Sequence, residues 1–200
     1  MEIYLDYIFY KVYYIYKNHQ KIRSGTMSHI NKQPLFIVTG ASCVGKSTAC
    51  NILFQNEKDY IVMESDLLWN DIYNTPDDNY CEYRRLWMRV AANISQSGKP
   101  VVLCGCAIPE QFELHPERDC FTEIHYIAVV CNDSQMEHRM RDGRHVTDED
   151  WIRSSKDFNT WFINNAGNTS PPITLVDNSD ITPEETAEAI DCWIKEKMQA

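Results

Sequence analysis

The segment over residues 35–47 most constrains what this chain can fold into. It reads LFIVTGASCVGKS, an apolar run that ends at Gly40 and is followed by a small-residue loop, Lys46 and Ser47. The apolar, β-rich run predicts a buried strand, and residues 46–55 predict a helix. Glycines let the loop turn so that its N–H groups face inward, next to the free N–H groups of the helix start. The segment therefore predicts a strand, an anion-binding loop and a helix in succession.

Residues 40–47 match the P-loop pattern G-x-x-x-x-G-K-[ST] at every fixed position. In this pattern the lysine reaches the β- and γ-phosphates of a nucleoside triphosphate and the Ser/Thr hydroxyl is a ligand of Mg²⁺. We therefore predict ATP and Mg²⁺ as cofactors, with Ser47 as a metal ligand. ATP is favoured over GTP because no guanine-specific N-K-x-D motif stands in a suitable place. The predicted nucleotide-binding residues here are Gly40, Ala41, Ser42, Cys43, Val44, Gly45, Lys46, Ser47 and Thr48.

The rest of the chain alternates strand-like and helical patterns. Such alternation predicts an α/β fold with a parallel sheet that is covered on both faces. Thr147 and the three acidic residues after it predict one helix start. Thr182, Pro183 and Glu185 predict another, as a capping box with proline in the first helical position. The predicted strands cover residues 35–40, 60–66, 100–108, 124–131 and 173–177, and an apolar helical stripe comprises Tyr83, Trp87, Val90 and Ile94.

Composition limits the partners and the compartment. The formal net charge of -10 argues against a nucleic-acid partner and disfavours an end-processing kinase for RNA or DNA. The eight cysteines lie mostly in apolar patterns, and no secretory signal is evident. They predict reduced thiols in a cytoplasmic protein rather than disulfides.

Residues 1–26 differ in composition from the remainder of the chain. They are rich in Tyr and Ile, but Glu2, Asp6 and Lys11 interrupt them, and the stretch is short for a membrane span. We expect a dispensable extension over residues 1–26 and one domain over residues 27–200, without stable membrane association. An amphipathic helix at a membrane surface is the alternative.

From the P-loop onward, the layout resembles the small P-loop kinases: shikimate and gluconate kinase, chloramphenicol phosphotransferase, and the nucleoside and nucleotide kinases. The resemblance rests on the glycine loop and on the positions of four segments. It implies a three-layer P-loop NTPase fold with a five-stranded parallel sheet and a short helical lid. The four segments are MESD at residues 63–66, VVLCGCAIPEQF at 101–112, MEHRMRDGRH at 136–145 and LVDNSDITPEE at 175–185.

The resemblance also implies roles for individual residues. Asp66 closes the second strand, where these kinases often place a carboxylate that contacts the acceptor, and Glu64 would share its side of the strand. Capping of the next turn is the structural alternative for Asp66. Arg139 and then Arg144 are the preferred lid arginines that would close over the phosphates. A solvated helix with an ion pair between Glu137 and Arg141 is the alternative for that segment.

Other candidates have more ordinary explanations. We expect Arg84 and Arg85 to be surface residues, although an anionic substrate could contact them. His125 is expected in the core. Packing is the favoured role of three aromatic residues that could also line an acceptor pocket: Trp69, Trp151 and Trp161.

These observations predict an ATP-dependent kinase that transfers the γ-phosphoryl group to a hydroxyl of a small molecule. Lys46, Asp66 and Arg139 are its predicted catalytic residues. Pro109 and Glu110 stand where gluconate kinases usually carry basic residues, so a nucleoside-like or neutral acceptor is favoured over a sugar acid. A non-catalytic, regulatory ATP-binding module is the alternative function.

Overall fold

Main-chain hydrogen bonds join five strands into one all-parallel sheet in this computed structural model, which describes residues 32–56 and 59–199. The strands lie side by side in the order β2-β3-β1-β4-β5. The predicted α/β class and the five parallel strands are therefore confirmed. In chain order the strands are β1 Leu35–Thr39, β2 Ile61–Glu64, β3 Val101–Cys104, β4 Ile124–Val130 and β5 Ile173–Asp177.

Helices follow or separate the strands. The α-helices are α1 Lys46–Asn56, α2 Cys81–Ser95, α3 Glu110–Glu113, α4 Asp133–His138, α5 Glu149–Asn165 and α6 Pro183–Gln199. A π-helical segment, Arg139–Gly143, continues directly from α4. Three short 3-10 turns, Ser65–Leu68, Asp71–Tyr73 and Pro76–Asp78, connect β2 to α2.

Both faces of the three central strands, β3, β1 and β4, are buried, which explains their continuous apolar character. Successive side chains of a strand point to opposite faces. Phe36 and Val38 of β1 belong to one buried cluster, which includes Ile190 of α6. Leu35 and Ile37 belong to a second cluster, which includes Trp87 of α2 and Phe162 of α5. The fold thus has three layers, with helices on each side of the sheet.

The predicted capping box at the start of α6 is confirmed. The Thr182 hydroxyl accepts a hydrogen bond from the Glu185 N–H at 3.1 Å, and the Glu185 carboxylate accepts one from the Thr182 N–H at 2.8 Å. Two main-chain donors that have no partner within the helix are satisfied in this way.

The predicted start of α5 at Thr147 is wrong by one residue. Asp148 is the cap, and its carboxylate accepts hydrogen bonds from the N–H groups of Asp150 and Trp151 at 2.9 and 3.1 Å. A carboxylate at this position satisfies two free donors and lies at the positive end of the helix dipole.

Some predictions concern residues that the structure does not describe. The expected extension over residues 1–26, and the domain start at Met27, fall among residues that the structure does not describe. Within the described residues, no helix combines the length and apolar character needed to cross a membrane. All eight cysteines are free thiols, as predicted.

Replacing Thr182 by alanine should lower the free energy of unfolding by about 1 kcal/mol, because the N–H of Glu185 loses its acceptor. Urea denaturation followed by circular dichroism measures the change. Thr160→Ala is the control, since Thr160 is exposed in the middle of α5 and alanine is the better helix former. Equal destabilisation by both substitutions would contradict the capping role.

The same capping box predicts a pH dependence. Hydrogen bonds from Thr182, first from its N–H and then from its hydroxyl, lower the pKa of Glu185 from its ordinary value of 4.5. A lowered pKa adds stability above pH 4.5, and this stability is lost as the pH falls through the lowered value. Glu185→Gln should therefore be less stable than wild type at about pH 7 and equal to it at about pH 2. Urea midpoints at both pH values test this, and a constant difference would count against it.

Candidate functional site

The loop between β1 and α1 adopts backbone conformations that glycine favours. Gly40 has φ +138° and Gly45 has φ +106°. A Cβ atom at Gly40 would overlap the carbonyl oxygen of Val129 in the neighbouring strand β4. The loop can therefore leave β1 this closely against β4 only because the residue at its start has no side chain.

Lys46, the first residue of α1, is almost completely enclosed. Its side chain belongs to a residue that is 8% exposed, and its Nζ atom donates a hydrogen bond to the Ala41 carbonyl oxygen at 2.7 Å. The lysine thus bridges the two ends of the loop. An ammonium group held this way places positive charge beside the inward-facing loop backbone.

A cavity of about 320 Å³ lies at the carboxyl edge of the sheet, over this loop. Its walls come from the chain segments that follow all five strands, as expected for ligand sites in parallel α/β folds. Ala41 and Val44 are buried and, like Gly40, do not line the cavity. The predicted residues that do line it are Ser42, Cys43, Gly45, Lys46, Ser47, Thr48, Glu64, Asp66, Arg139 and Arg144.

Asp66 lines the cavity, but it lies in a different element from the predicted one. The strand ends at Glu64, and Asp66 lies in the 3-10 turn Ser65–Leu68, so strand alternation does not place both carboxylates on one side. Both nevertheless line the cavity because the chain turns at Ser65. The hydrogen bond that the Asp66 carboxylate accepts comes from the adjacent Ser65 hydroxyl, at 3.3 Å.

Helix α2 anchors this turn. The Ser65 carbonyl oxygen accepts hydrogen bonds from the Tyr83 hydroxyl at 2.5 Å and from the Trp87 indole N–H at 3.1 Å. On the other side, a Cβ at Gly105 would collide with the Ser65 side chain. Ser65 is thus held between α2 and the end of β3, and it positions the adjacent Asp66.

The loop after β3 is joined to the P-loop. The Thr39 hydroxyl donates to the Ala107 carbonyl oxygen at 2.6 Å and accepts from the Ala107 N–H at 2.9 Å. The Cys106 thiol lies 3.2 Å from the Gly40 carbonyl oxygen. These contacts bring residues of two strand ends into the same wall of the cavity.

Arg139 donates hydrogen bonds to the P-loop backbone and to Asn178. Its Nη1 atom donates to the Val44 carbonyl oxygen at 2.8 Å and to the Asn178 side-chain oxygen at 2.9 Å. The Asn178 amide also donates to the Val44 carbonyl oxygen, at 2.8 Å. Sequence reasoning did not single out Asn178, although a polar residue directly after β5 at the carboxyl edge was a usable signal.

The other two lid arginines differ from each other. Arg141 forms ion pairs with Glu137 at 2.8 Å and Glu149 at 2.7 Å, and the hydrogen bonds that it donates to Glu149 first and Glu137 second raise its pKa. The predicted ion pair between Glu137 and Arg141 is therefore present. Arg144 is exposed and lines the cavity, and it forms no ion pair or hydrogen bond with any residue that the structure describes.

A second cavity of about 360 Å³ adjoins the first and shares Asp66 and Cys106 with it. Its other lining residues include four aromatic side chains and one arginine: Trp69, Tyr80, Tyr83, Phe158 and Arg84. Of the three tryptophans considered from the sequence, Trp69 lines this cavity, whereas Trp151 and Trp161 do not.

The expectation that Arg84 is a surface residue is wrong. Arg84 is 8% exposed, because the α2 face that carries it packs against the loop after β3. Its Nη2 atom donates to the Cys106 carbonyl oxygen at 2.6 Å. Arg85 points elsewhere and pairs with Glu117 at 3.0 Å. His125, by contrast, is half-buried and stacks on Phe36, and burial lowers its pKa.

The oxygen atoms around the first cavity suit Mg²⁺. The Ser47 hydroxyl and the carboxylates of Glu64 and Asp66 line it together, and oxygen atoms are the ligands that Mg²⁺ prefers. Over residues 32–56 and 59–199, no group of three or more His, Cys, Asp or Glu side chains could hold a metal ion. A magnesium ion here would therefore take most of its ligands from phosphate and water, as is usual for this ion.

Comparison with known proteins gives matches to solved structures alone. No protein-family model and no curated protein sequence matches the chain. Among solved structures, a gluconokinase from Sinorhizobium meliloti 1021 matches with a TM-score of 0.57 at 14% identity, over 85% of this chain and 97% of that one. A tunicamycin resistance protein from Deinococcus radiodurans matches with a TM-score of 0.59 at 14% identity, over 82% and 96%.

An APS kinase from Mycobacterium tuberculosis, solved in complex with AMPPNP and APS, matches with a TM-score of 0.54 at 15% identity. The match covers 82% of this chain and 98% of that one. The chain has the fold of the small P-loop kinases. The predicted resemblance is thus confirmed at the level of the fold.

The Arg139 contacts predict an effect on the loop. Arg139→Lys should weaken the binding of Mg·ATP roughly 10-fold, because one ammonium nitrogen replaces the two guanidinium nitrogens that donate to Val44 and to the side-chain and main-chain oxygens of Asn178, and the loop backbone loses support. Isothermal titration calorimetry measures the affinity. Arg141→Lys, two residues away and outside the cavity, is the control and should bind as wild type does. Equal affinities for all three proteins would show that the loop needs no support from Arg139.

Proposed function

We propose that the protein is an ATP-dependent kinase that transfers the γ-phosphoryl group to a hydroxyl of a small molecule. One observation carries the proposal: two cavities meet at Asp66, one over the P-loop and the other among aromatic side chains. A nucleotide in the first cavity and an acceptor in the second would have a carboxylate between them. Such an arrangement suits in-line phosphoryl transfer, which depends on positioning and charge neutralisation.

The P-loop side would bind the nucleotide. Main-chain N–H groups of the loop and the first turn of α1 would donate to the β-phosphate, and Lys46 would exchange its bond to the Ala41 carbonyl for phosphate oxygens. Ser47, with Glu64 or Asp66, would hold Mg²⁺, which when bound neutralises negative charge on the phosphates. Asn178 and Thr186 line the same cavity and would lie near the rest of the nucleotide.

Asp66 would act on the acceptor. The acceptor oxygen forms a bond to the γ-phosphorus while the bond between that phosphorus and the β–γ bridging oxygen breaks, and ADP leaves. The proton of the acceptor hydroxyl would pass to the Asp66 carboxylate, which is exposed and accepts a hydrogen bond from the Ser65 hydroxyl at 3.3 Å. The contacts of Ser65 with α2 fix the position of this carboxylate.

Arg139 and Arg144 would have different roles in binding the phosphates. Arg139 already donates to Val44 and Asn178, which supports a role in holding the loop in its binding conformation. Arg144 has an uncommitted guanidinium at the edge of the cavity, which supports a direct contact with the transferred phosphoryl group. We therefore assign phosphate contact in the transition state to Arg144 before Arg139.

Substitutions at Lys46 and Asp66 separate binding from transfer. Lys46→Ala should abolish measurable binding of Mg·ATP, because the buried positive charge is lost. Asp66→Asn should bind Mg·ATP but lower phosphoryl transfer by about 10²–10⁴-fold, the usual contribution of a general base. Calorimetry measures the binding. ADP release with a panel of nucleosides, sugars, hydroxy acids and hydroxylated antibiotics measures the transfer.

The matched control is Asp71→Asn, since Asp71 is exposed in the next 3-10 turn and lines neither cavity. It should leave both binding and transfer unchanged. Failure of the wild-type protein to bind any purine nucleoside triphosphate would overturn the proposal. Tight Mg·ATP binding without transfer to any compound of the panel would favour a regulatory ATP-binding module instead.

A further inference from the structure

We propose that the second cavity binds acceptors that combine a ring with an anionic oxygen group, and that Arg84 binds this anion. The proposal rests on the proposed kinase function and names the substrate class of the same site. It replaces the nucleoside-like or neutral acceptor that the sequence favoured, because the sequence did not reveal that Arg84 is buried.

Arg84 is a buried cation without an anionic partner. No carboxylate among the described residues lies within ion-pair distance of its guanidinium, and its one hydrogen bond goes to the Cys106 carbonyl oxygen. The Nε atom is enclosed without a partner. Removing a charge from water costs several kcal/mol unless a counter-charge compensates it. Burial accordingly lowers the pKa of Arg84 from its ordinary value, although the group stays protonated.

Aromatic rings keep the guanidinium in place. Its central carbon lies 5.5 Å from the ring centre of Tyr83 and 5.8 Å from those of Tyr80 and Phe112. Attraction to these ring faces offsets part of the desolvation cost. It does not satisfy the N–H donors, and Nη1 donates to none of the described residues. A carboxylate or phosphate oxygen of a ligand would supply the missing acceptor, with the strength of a charge-assisted hydrogen bond.

The remaining walls suit a ring. Trp69 packs edge-on against Tyr83, with ring centres 5.1 Å apart, yet it is 42% exposed. Phe158 lines the same cavity. A volume of about 360 Å³ accommodates a molecule of one or two rings.

The position of Asp66 sets where the hydroxyl must be. Asp66 lines both cavities, whereas Arg84 lines only the second. An acceptor whose anion is bound by Arg84 would extend its hydroxyl toward Asp66 and the P-loop. The anion and the reactive hydroxyl are therefore expected at different positions of the ring system.

The test uses a matched pair of probes, 3-(hydroxymethyl)benzoate and its neutral amide, 3-(hydroxymethyl)benzamide, with phenyl phosphate as a second anion. Each probe is titrated by calorimetry or ligand-observed NMR into the full chain saturated with Mg²⁺ and a non-hydrolysable ATP analogue. Wild type should bind the benzoate at least roughly 10-fold more tightly than the amide, because the amide leaves Arg84 without an anion. Equal affinities, or no saturable binding of either anion at millimolar concentration, would overturn the proposal.

Variants locate the anion. Arg84→Met should reduce the preference for the benzoate to less than about 2-fold, and Arg84→Lys should retain part of it. Arg89→Met is the matched control on the exposed side of α2 and should keep the full preference. An unchanged preference in Arg84→Met would overturn the assignment to this residue. If Arg84→Met does not fold, the wild-type comparison of benzoate and amide and the Arg84→Lys variant decide the question.

A further variant separates this proposal from the kinase proposal. Lys46→Ala should lose the nucleotide but still prefer the benzoate, since Lys46 lines only the first cavity. Loss of that preference in Lys46→Ala would place the anion at the P-loop and overturn the role of Arg84. If the wild-type protein bound no nucleotide but preferred the benzoate, the kinase function would fail while the anion site stood.

Discussion

All five strands run in one direction, and the position of every candidate site residue depends on this. Each loop that follows a strand lies on the same edge of the sheet, so residues far apart in the chain meet there. Gly40 lets the first of these loops pass close against β4, and Gly105 lets the loop after β3 approach Ser65. The two glycines therefore matter because they allow three strand ends to share one cavity.

Two buried cations lie at that edge of the sheet. Lys46 and Arg84 are each 8% exposed, and each donates to a main-chain carbonyl rather than to a carboxylate. Such groups are destabilising, because the cost of desolvation is only partly offset. Anionic ligands would supply the missing counter-charges at both positions, so ligand binding would also stabilise the fold.

Local sequence signals predicted the parts of the molecule that local physics determines. The P-loop, the strand that precedes it and the capping box of α6 depend on residues close together in the chain. Arg84 could not be placed in this way. Its neighbour Tyr83 belongs to the predicted apolar stripe, but whether Arg84 faces solvent depends on how α2 packs against residues 106–112.

The contacts of Asn178 and of the turn at Ser65 could not be placed from local sequence signals for the same reason. Asn178 contacts Val44, which is 134 positions away, and Ser65 contacts Trp87 and the region of Gly105.

The position of helix α2 has a consequence for how new specificities could arise on this scaffold. Helix α2 carries both Arg84 and the two side chains that anchor the turn of Asp66, whereas the P-loop is built from other elements. If the proposed function holds, changes along this single helix could therefore redirect the choice of acceptor while the P-loop is left intact.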